Sequence, residues 1–189
     1  MDSCPGSPAR RADSMSGTDE RKARTETRVA NTHKAAHMIK SNAFVGSWQL
    51  VSTRFQSADG TPADSPYGND AHGILMYDTN GFMAAQLAHG DRQPFPSADR
   101  KGGDDMQTRA AFESYQAYYG HYRVDEKESV IIHTVLQSLL PNWVGTEQRR
   151  HFAFEKDQLV LRTPEMRIGG HMVRGELVWR QNKGGTKTD

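Results

Sequence analysis

Between Glu147 and Phe154 the residue types alternate so that one side of an extended chain carries chemistry. Gln148, Arg150, Phe152 and Phe154 share one face and Glu147 and Arg149 the other, because successive side chains of a strand point to opposite sides. The two phenylalanines mark the inward face, so Gln148 and Arg150 should line whatever interior the fold encloses. A guanidinium in such a place keeps its charge and needs carboxylate, carbonyl or enolate oxygens as partners. Asn142 and Trp143 precede the same strand and would stand at its entrance, an amide beside a flat apolar wall. Pro141-Asn142 is equally a common turn pair, and turn chemistry is the competing reading.

His133 lies in the apolar run Val130–Leu136. Its ordinary pKa of about 6.5 makes it the candidate for general acid–base work, against the plainer reading of a satisfied core histidine. Tyr77, Tyr115, Tyr119 and Tyr122 could donate phenolic hydrogen bonds to a bound carbonyl, or could simply pack. Other chemistry has no visible equipment. The eight histidines show no His-x-His or His-Glu-x-x-His spacing, so no dedicated metal site is expected. No Gly-rich phosphate loop follows a strand and no Gly-x-Ser-x-Gly elbow occurs, so neither a nucleotide cofactor nor a serine nucleophile is expected. The lone Cys4 is remote from the candidate residues.

These side chains must be held by a fold, and the pattern from about 43 to 181 is one of short extended runs separated by turn signals. Phe44–Phe55, Gly73–Tyr77, Phe82–Leu87, Tyr118–Val124, Val130–Leu136, Glu147–Phe154, Leu159–Thr163 and Met172–Trp179 read as strands. Asp78-Thr79-Asn80-Gly81 predicts the clearest hairpin, since Asn-Gly supplies the positive φ angles of a tight reversal. Short connections imply antiparallel neighbours, and about eight consecutive strands most economically close as an up-and-down β-barrel. One segment breaks the rhythm. Asp104–Tyr119 places Phe112, Tyr115 and Tyr119 at helical spacing behind a candidate N-cap, Asp104 or Asp105. With the long loop 89–103 before it, this helix is expected near the barrel mouth.

Residues 1–40 read as a disordered tail and 183–189 as a second, short one, being polar and charged without apolar periodicity. The chain of 189 residues carries a net charge of +1, which gives no general attraction to nucleic acid. It has no apolar run long enough for a membrane helix. One cysteine allows no internal disulfide, which fits a reducing compartment and predicts a cytoplasmic protein. Whether two barrels pair into a homodimer stays open.

Gly46-Ser47-Trp48 matches the Gly-x-Trp of the lipocalins. Tyr67-Gly68, Gly73-Ile74-Leu75-Met76-Tyr77-Asp78, Tyr118-Tyr119-Gly120-His121-Tyr122 and Pro141-Asn142-Trp143-Val144-Gly145-Thr146-Glu147-Gln148, with Arg150, are more specific. Together they resemble the short bacterial and fungal lipocalin-like domain proteins, over about Phe44 to Trp179. The resemblance implies a small antiparallel barrel with an internal cavity, Trp48 closing its floor, and several such proteins serve natural-product pathways. It also implies a structural alternative for Arg150, as a barrel plug stacked over Trp48 or bonded to strand carbonyls.

Two functional readings follow. The first is a cofactor-independent cyclase, isomerase or dehydratase acting on a polyketide-like or terpenoid intermediate, with Arg150, His133 and Tyr122 as catalytic candidates. Trp48, Tyr77, Gln86, Tyr115, Tyr119, Asn142, Trp143, Gln148 and Phe152 would line its ligand site. The second is a non-catalytic carrier for a small hydrophobic metabolite, which needs only the cavity and an anchor. A third, a haem-binding barrel, would use His133 or His171 as axial ligand.

Overall fold

The computed structural model describes residues 42–99 and 101–183; both expected tails lie largely or wholly outside them. Ten antiparallel strands form one sheet. They are β1 (Gly46–Ser57), β2 (Pro62–Ala63), β3 (Ala71–Tyr77), β4 (Phe82–His89), β5 (Tyr115–Asp125), β6 (Val130–Ser138), β7 (Glu147–Glu155), β8 (Gln158–Arg162), β9 (Met166–Ile168) and β10 (His171–Gln181). The sheet closes because β1 pairs with β10 from Trp48↔Gln181 to Ser57↔Val173. Eight strands make the closed barrel. The short β2 and β9 are added at its edges, alongside β1 and β10.

Turn chemistry sets the register. At the β3–β4 hairpin Gly81 has φ +87°, and the Asp78 carboxylate accepts from the Asn80 and Phe82 amides at 2.9 and 2.7 Å. Those amides, that of Phe82 foremost, hold the Asp78 carboxyl below its ordinary pKa. Where β5 and β6 slip register beside Gly120, the strands approach so closely that a Cβ on Gly120 would sit 2.0 Å from the Thr134 carbonyl oxygen. Only glycine fits there.

The inward faces form one core. Its floor is aromatic: Phe44, just before β1, packs edge-on against Tyr77, Phe152 and Phe154 with centroids 5.8, 4.9 and 5.0 Å apart. Trp48 closes the same end, its indole N–H donating to the Phe44 carbonyl at 2.7 Å. Both faces of β6 are buried, His133 and Ile131 pointing inward and Ile132 outward.

The helix is shorter than its spacing predicts. Here called α1, it spans Asp105–Glu113. Asp104 is the cap, its carboxylate accepting from the Gln107 amide at 2.8 Å while the Gln107 side chain accepts from the Asp104 amide at 3.0 Å, a reciprocal capping box. The expected second half is strand. Tyr115 pairs with Ala88 of β4 and Tyr119 with Ala84, so the tyrosines spaced as on a helix belong to β5. Pairing with an available sheet edge overrides a spacing that helix and strand share.

Candidate functional site

The barrel encloses a cavity of about 520 Å³, well inside the range of small-molecule sites. Phe112, Leu139 and Leu140 line it and are each more than a third exposed, which marks the mouth. The end of α1, the short 3-10 helix Pro141–Trp143 and β9 stand around this opening. The wall is mostly apolar, with Phe55, Leu75, Leu87, Leu161, Leu177 and Trp179 among its residues.

The polar groups converge from three neighbouring strands. From β7, Arg150 and Gln148 point inward. Arg150 is only 7% exposed. It donates from Nη1 to its neighbour's carbonyl on Arg149 at 2.8 Å, and from Nη2 to Gln148 Oε1 at 3.4 Å. No carboxylate among the described residues makes an ion pair with it. A guanidinium has five N–H groups; two are spent on these acceptors and a third reaches the Tyr118 hydroxyl, so among the described residues the charge has neutral partners only. From β6, His133 is 1% exposed and bracketed by two phenols, Tyr77 Oη at 2.8 Å from Nε2 and Tyr118 Oη at 3.0 Å from Nδ1. Burial, helped by the Arg150 charge, pushes its pKa down to about 3, so the ring stays neutral. From β5, Tyr118 lines the cavity between His133 and Trp143. Burial raises its pKa and the adjacent guanidinium opposes that rise. A further donor, the Trp179 indole N–H, is buried with no hydrogen-bond partner among the described residues.

The residues singled out by sequence fall into two groups. Arg150, His133, Gln148, Trp143 and Tyr115 line the cavity. Tyr115 does so at the rim, where its hydroxyl donates to Gln86 and the Arg92 guanidinium lies 4.7 Å over its ring. The others stand elsewhere. Tyr77, Trp48 and Phe152 belong to the packed floor, Tyr77 reaching the site only through His133. The Tyr122 hydroxyl donates to the Asp78 carbonyl at 2.8 Å. Gln86 and Tyr119 face outward, Tyr119 half exposed. Asn142 is exposed on the 3-10 helix, outside the lining. His171 is exposed at the start of β10, outside the cavity lining, and His133 has both ring nitrogens engaged by tyrosines.

Sequence reasoning missed Tyr118, Tyr67 and Gln116. The Tyr67 hydroxyl donates to Gln116 Oε1 at 2.6 Å across the cavity wall, and burial pushes its pKa up. The signal was strand parity: Gln116, Tyr118 and Gly120 share one face of β5, but only Tyr118 onward was read as strand, and the helical reading of the residues before it hid Gln116.

Comparison with known proteins agrees with this geometry. The lipocalin-like domain family matches residues 45–182. The chain belongs to the lipocalin-like domain family. Among curated relatives of this lipocalin-like chain is the 4'-hydroxy-3'-methoxypropiophenone carrier protein of Aspergillus oryzae, 31% identical over 106 residues, which are 52% of this chain and 96% of the relative. Among the described residues of the lipocalin-like barrel, no helix is long and apolar enough to cross a membrane.

Proposed function

We propose that this lipocalin-like protein is a binding or carrier protein for a small, largely apolar metabolite of secondary metabolism, of aromatic-ketone or polyketide type, held by an oxygen atom. The observation that carries the reading is Arg150, a buried guanidinium on the wall of an apolar cavity with no carboxylate among the described residues to neutralise it. Such a charge is costly in the empty protein, and a ligand oxygen offsets that cost. The relative's name points to the same class of molecule, a phenolic aryl ketone.

The alternative, a cofactor-independent cyclase, isomerase or dehydratase, calls for a group that exchanges a proton near neutrality. His133 is held neutral down to about 3 with both nitrogens engaged, and burial drives the cavity tyrosines upward. Arg150 could polarise a carbonyl but could not move a proton. Binding needs only the cavity and the anchor, and the geometry supports it best.

The test is calorimetric titration with 4'-hydroxy-3'-methoxypropiophenone, followed by mass spectrometry of the recovered ligand. One-to-one saturable binding with the ligand returned unchanged is expected, and Arg150→Met should weaken it roughly tenfold or more, the worth of a charge-assisted hydrogen bond. A recovered ligand of altered mass or isomeric composition would replace the carrier reading with the catalytic one.

A further inference from the structure

We infer that the polar end of the cavity is a two-donor clamp for an oxyanion, in which the Tyr118 hydroxyl and the Arg150 guanidinium hold the ligand's oxygen deprotonated, while His133 and Tyr77 fix the direction of the Tyr118 proton. This rests on the binding reading above and adds the ligand's chemical class: a phenol, enol or carboxylic acid, bound as its anion.

The argument is an accounting of hydrogens. A neutral imidazole donates from one nitrogen and accepts at the other, and His133 has a phenol at each. Tyr77 is 2% exposed in the floor, and His133 is the one partner its hydroxyl has among the described residues. Were Tyr77 to accept from Nε2–H, its own proton would be stranded in the core, and a buried donor left unmade is costly. Tyr77 therefore donates to Nε2, which places the ring proton on Nδ1, where it donates to the Tyr118 oxygen. The Tyr118 proton is then left without an acceptor among the described residues, on a side chain that lines the cavity. Arg150 stands beside that hydroxyl with N–H groups to spare.

The other groups facing the cavity leave this positive end uncompensated. The Tyr67 proton is spent on Gln116, and Gln148 is neutral. At the rim Tyr115 donates to Gln86, Glu113 pairs with Arg109 at 2.8 Å, and Arg167 donates to the Gly170 carbonyl at 3.1 Å. A weak acid entering this end releases its proton to bulk water and stays as the anion, its oxygen accepting from Tyr118 and Arg150.

The experiment uses the full chain with 4-nitrophenol, yellow as the phenolate and colourless as the phenol, and with 4-nitroanisole, similar in shape but without the acidic proton. Absorbance titration of 4-nitrophenol at saturating protein should show its pKa lowered by about one to three units relative to water, the usual effect of a close opposite charge. Arg150→Met should abolish the shift. Tyr118→Phe should remove part of it, and so should Tyr77→Phe, which frees His133 to change tautomer; a merely structural tyrosine would leave the bound pKa in place. A bound phenol with unchanged or raised pKa overturns the clamp and leaves the carrier reading standing. A shift that survives both tyrosine substitutions overturns the two-donor form. Failure of both nitro compounds to bind while 4'-hydroxy-3'-methoxypropiophenone binds overturns the clamp alone, and failure of all three overturns clamp and carrier together. Should Arg150→Met not fold, the wild-type shift still decides.

Discussion

At the scale of single residues, the defining contrast is between a charge that stays and one that never forms. Arg150 keeps its cation in the interior, and that cation, after burial itself, is what keeps His133 neutral. The contrast sets a pH dependence. The native pKa of His133, about 3, lies below the unfolded value of about 6.5, so the unfolded chain binds a proton over that interval and the native chain does not. Stability from this residue is complete above pH ~6.5 and declines as the pH falls toward 3, by about 1.4 kcal/mol per unit. Proton NMR should find the His133 ring signal unchanged from pH 8 to pH 5. A His133 midpoint near 6.5 would contradict the buried phenol–imidazole–phenol chain. Residue types alone pointed to Arg150 as an inward cation, because the alternating phenylalanines of β7 declare its parity. They did not reveal that His133 is silenced, since a pKa near 3 comes from burial inside the closed barrel and, after it, from a guanidinium on the neighbouring strand.

At the scale of elements, turns were legible and pairings were not. Asn80-Gly81 and the charged reversal at 125–128 carry their geometry locally, so the strands they join could be read to within a few residues. The segment from Tyr115 could not. Its aromatic spacing suits a helix as well as a strand, and the decision lies with β4, whose edge takes Tyr115 through His121 as partners. That misreading hid Gln116, three residues before the end of the segment read as helical, whereas Tyr118 already stood in the expected strand and only its parity went unread. The two short strands β2 and β9 gave no local signal either, being two and three residues long. The close approach at Gly120 supplies a test of the β5–β6 register. Gly120→Ala forces a methyl against the Thr134 carbonyl, and should cost about 3 kcal/mol or more, or prevent folding. Urea unfolding measures it, and a loss under 1 kcal/mol would show that the strands can separate there.

At the scale of the whole molecule, closure is the property on which the rest depends. The seam between β1 and β10 joins the first barrel strand to the last, and β10 also holds β8 and β9. A chain ending before His171 would leave β1 and β8 as bare edges, which recruit other strands. Such a truncation should be recovered as aggregate by size-exclusion chromatography, whereas the full chain elutes as discrete particles; a soluble truncated form would mean that the seam is dispensable. The fold class was readable because eight short runs joined by short turns leave few other arrangements. The size of the cavity was not, because it depends on how far opposing side chains reach across the interior, which no single strand records.

The aromatic floor has a consequence for traffic. A vessel plugged at its base by Phe44 and Trp48 fills and empties through the same doorway, beside Leu140 and the tip of α1. Under the proposed carrier role, delivery of the cargo becomes a meeting of rims, and substitutions around that lip should alter how fast the passenger changes hands far more than how tightly it sits.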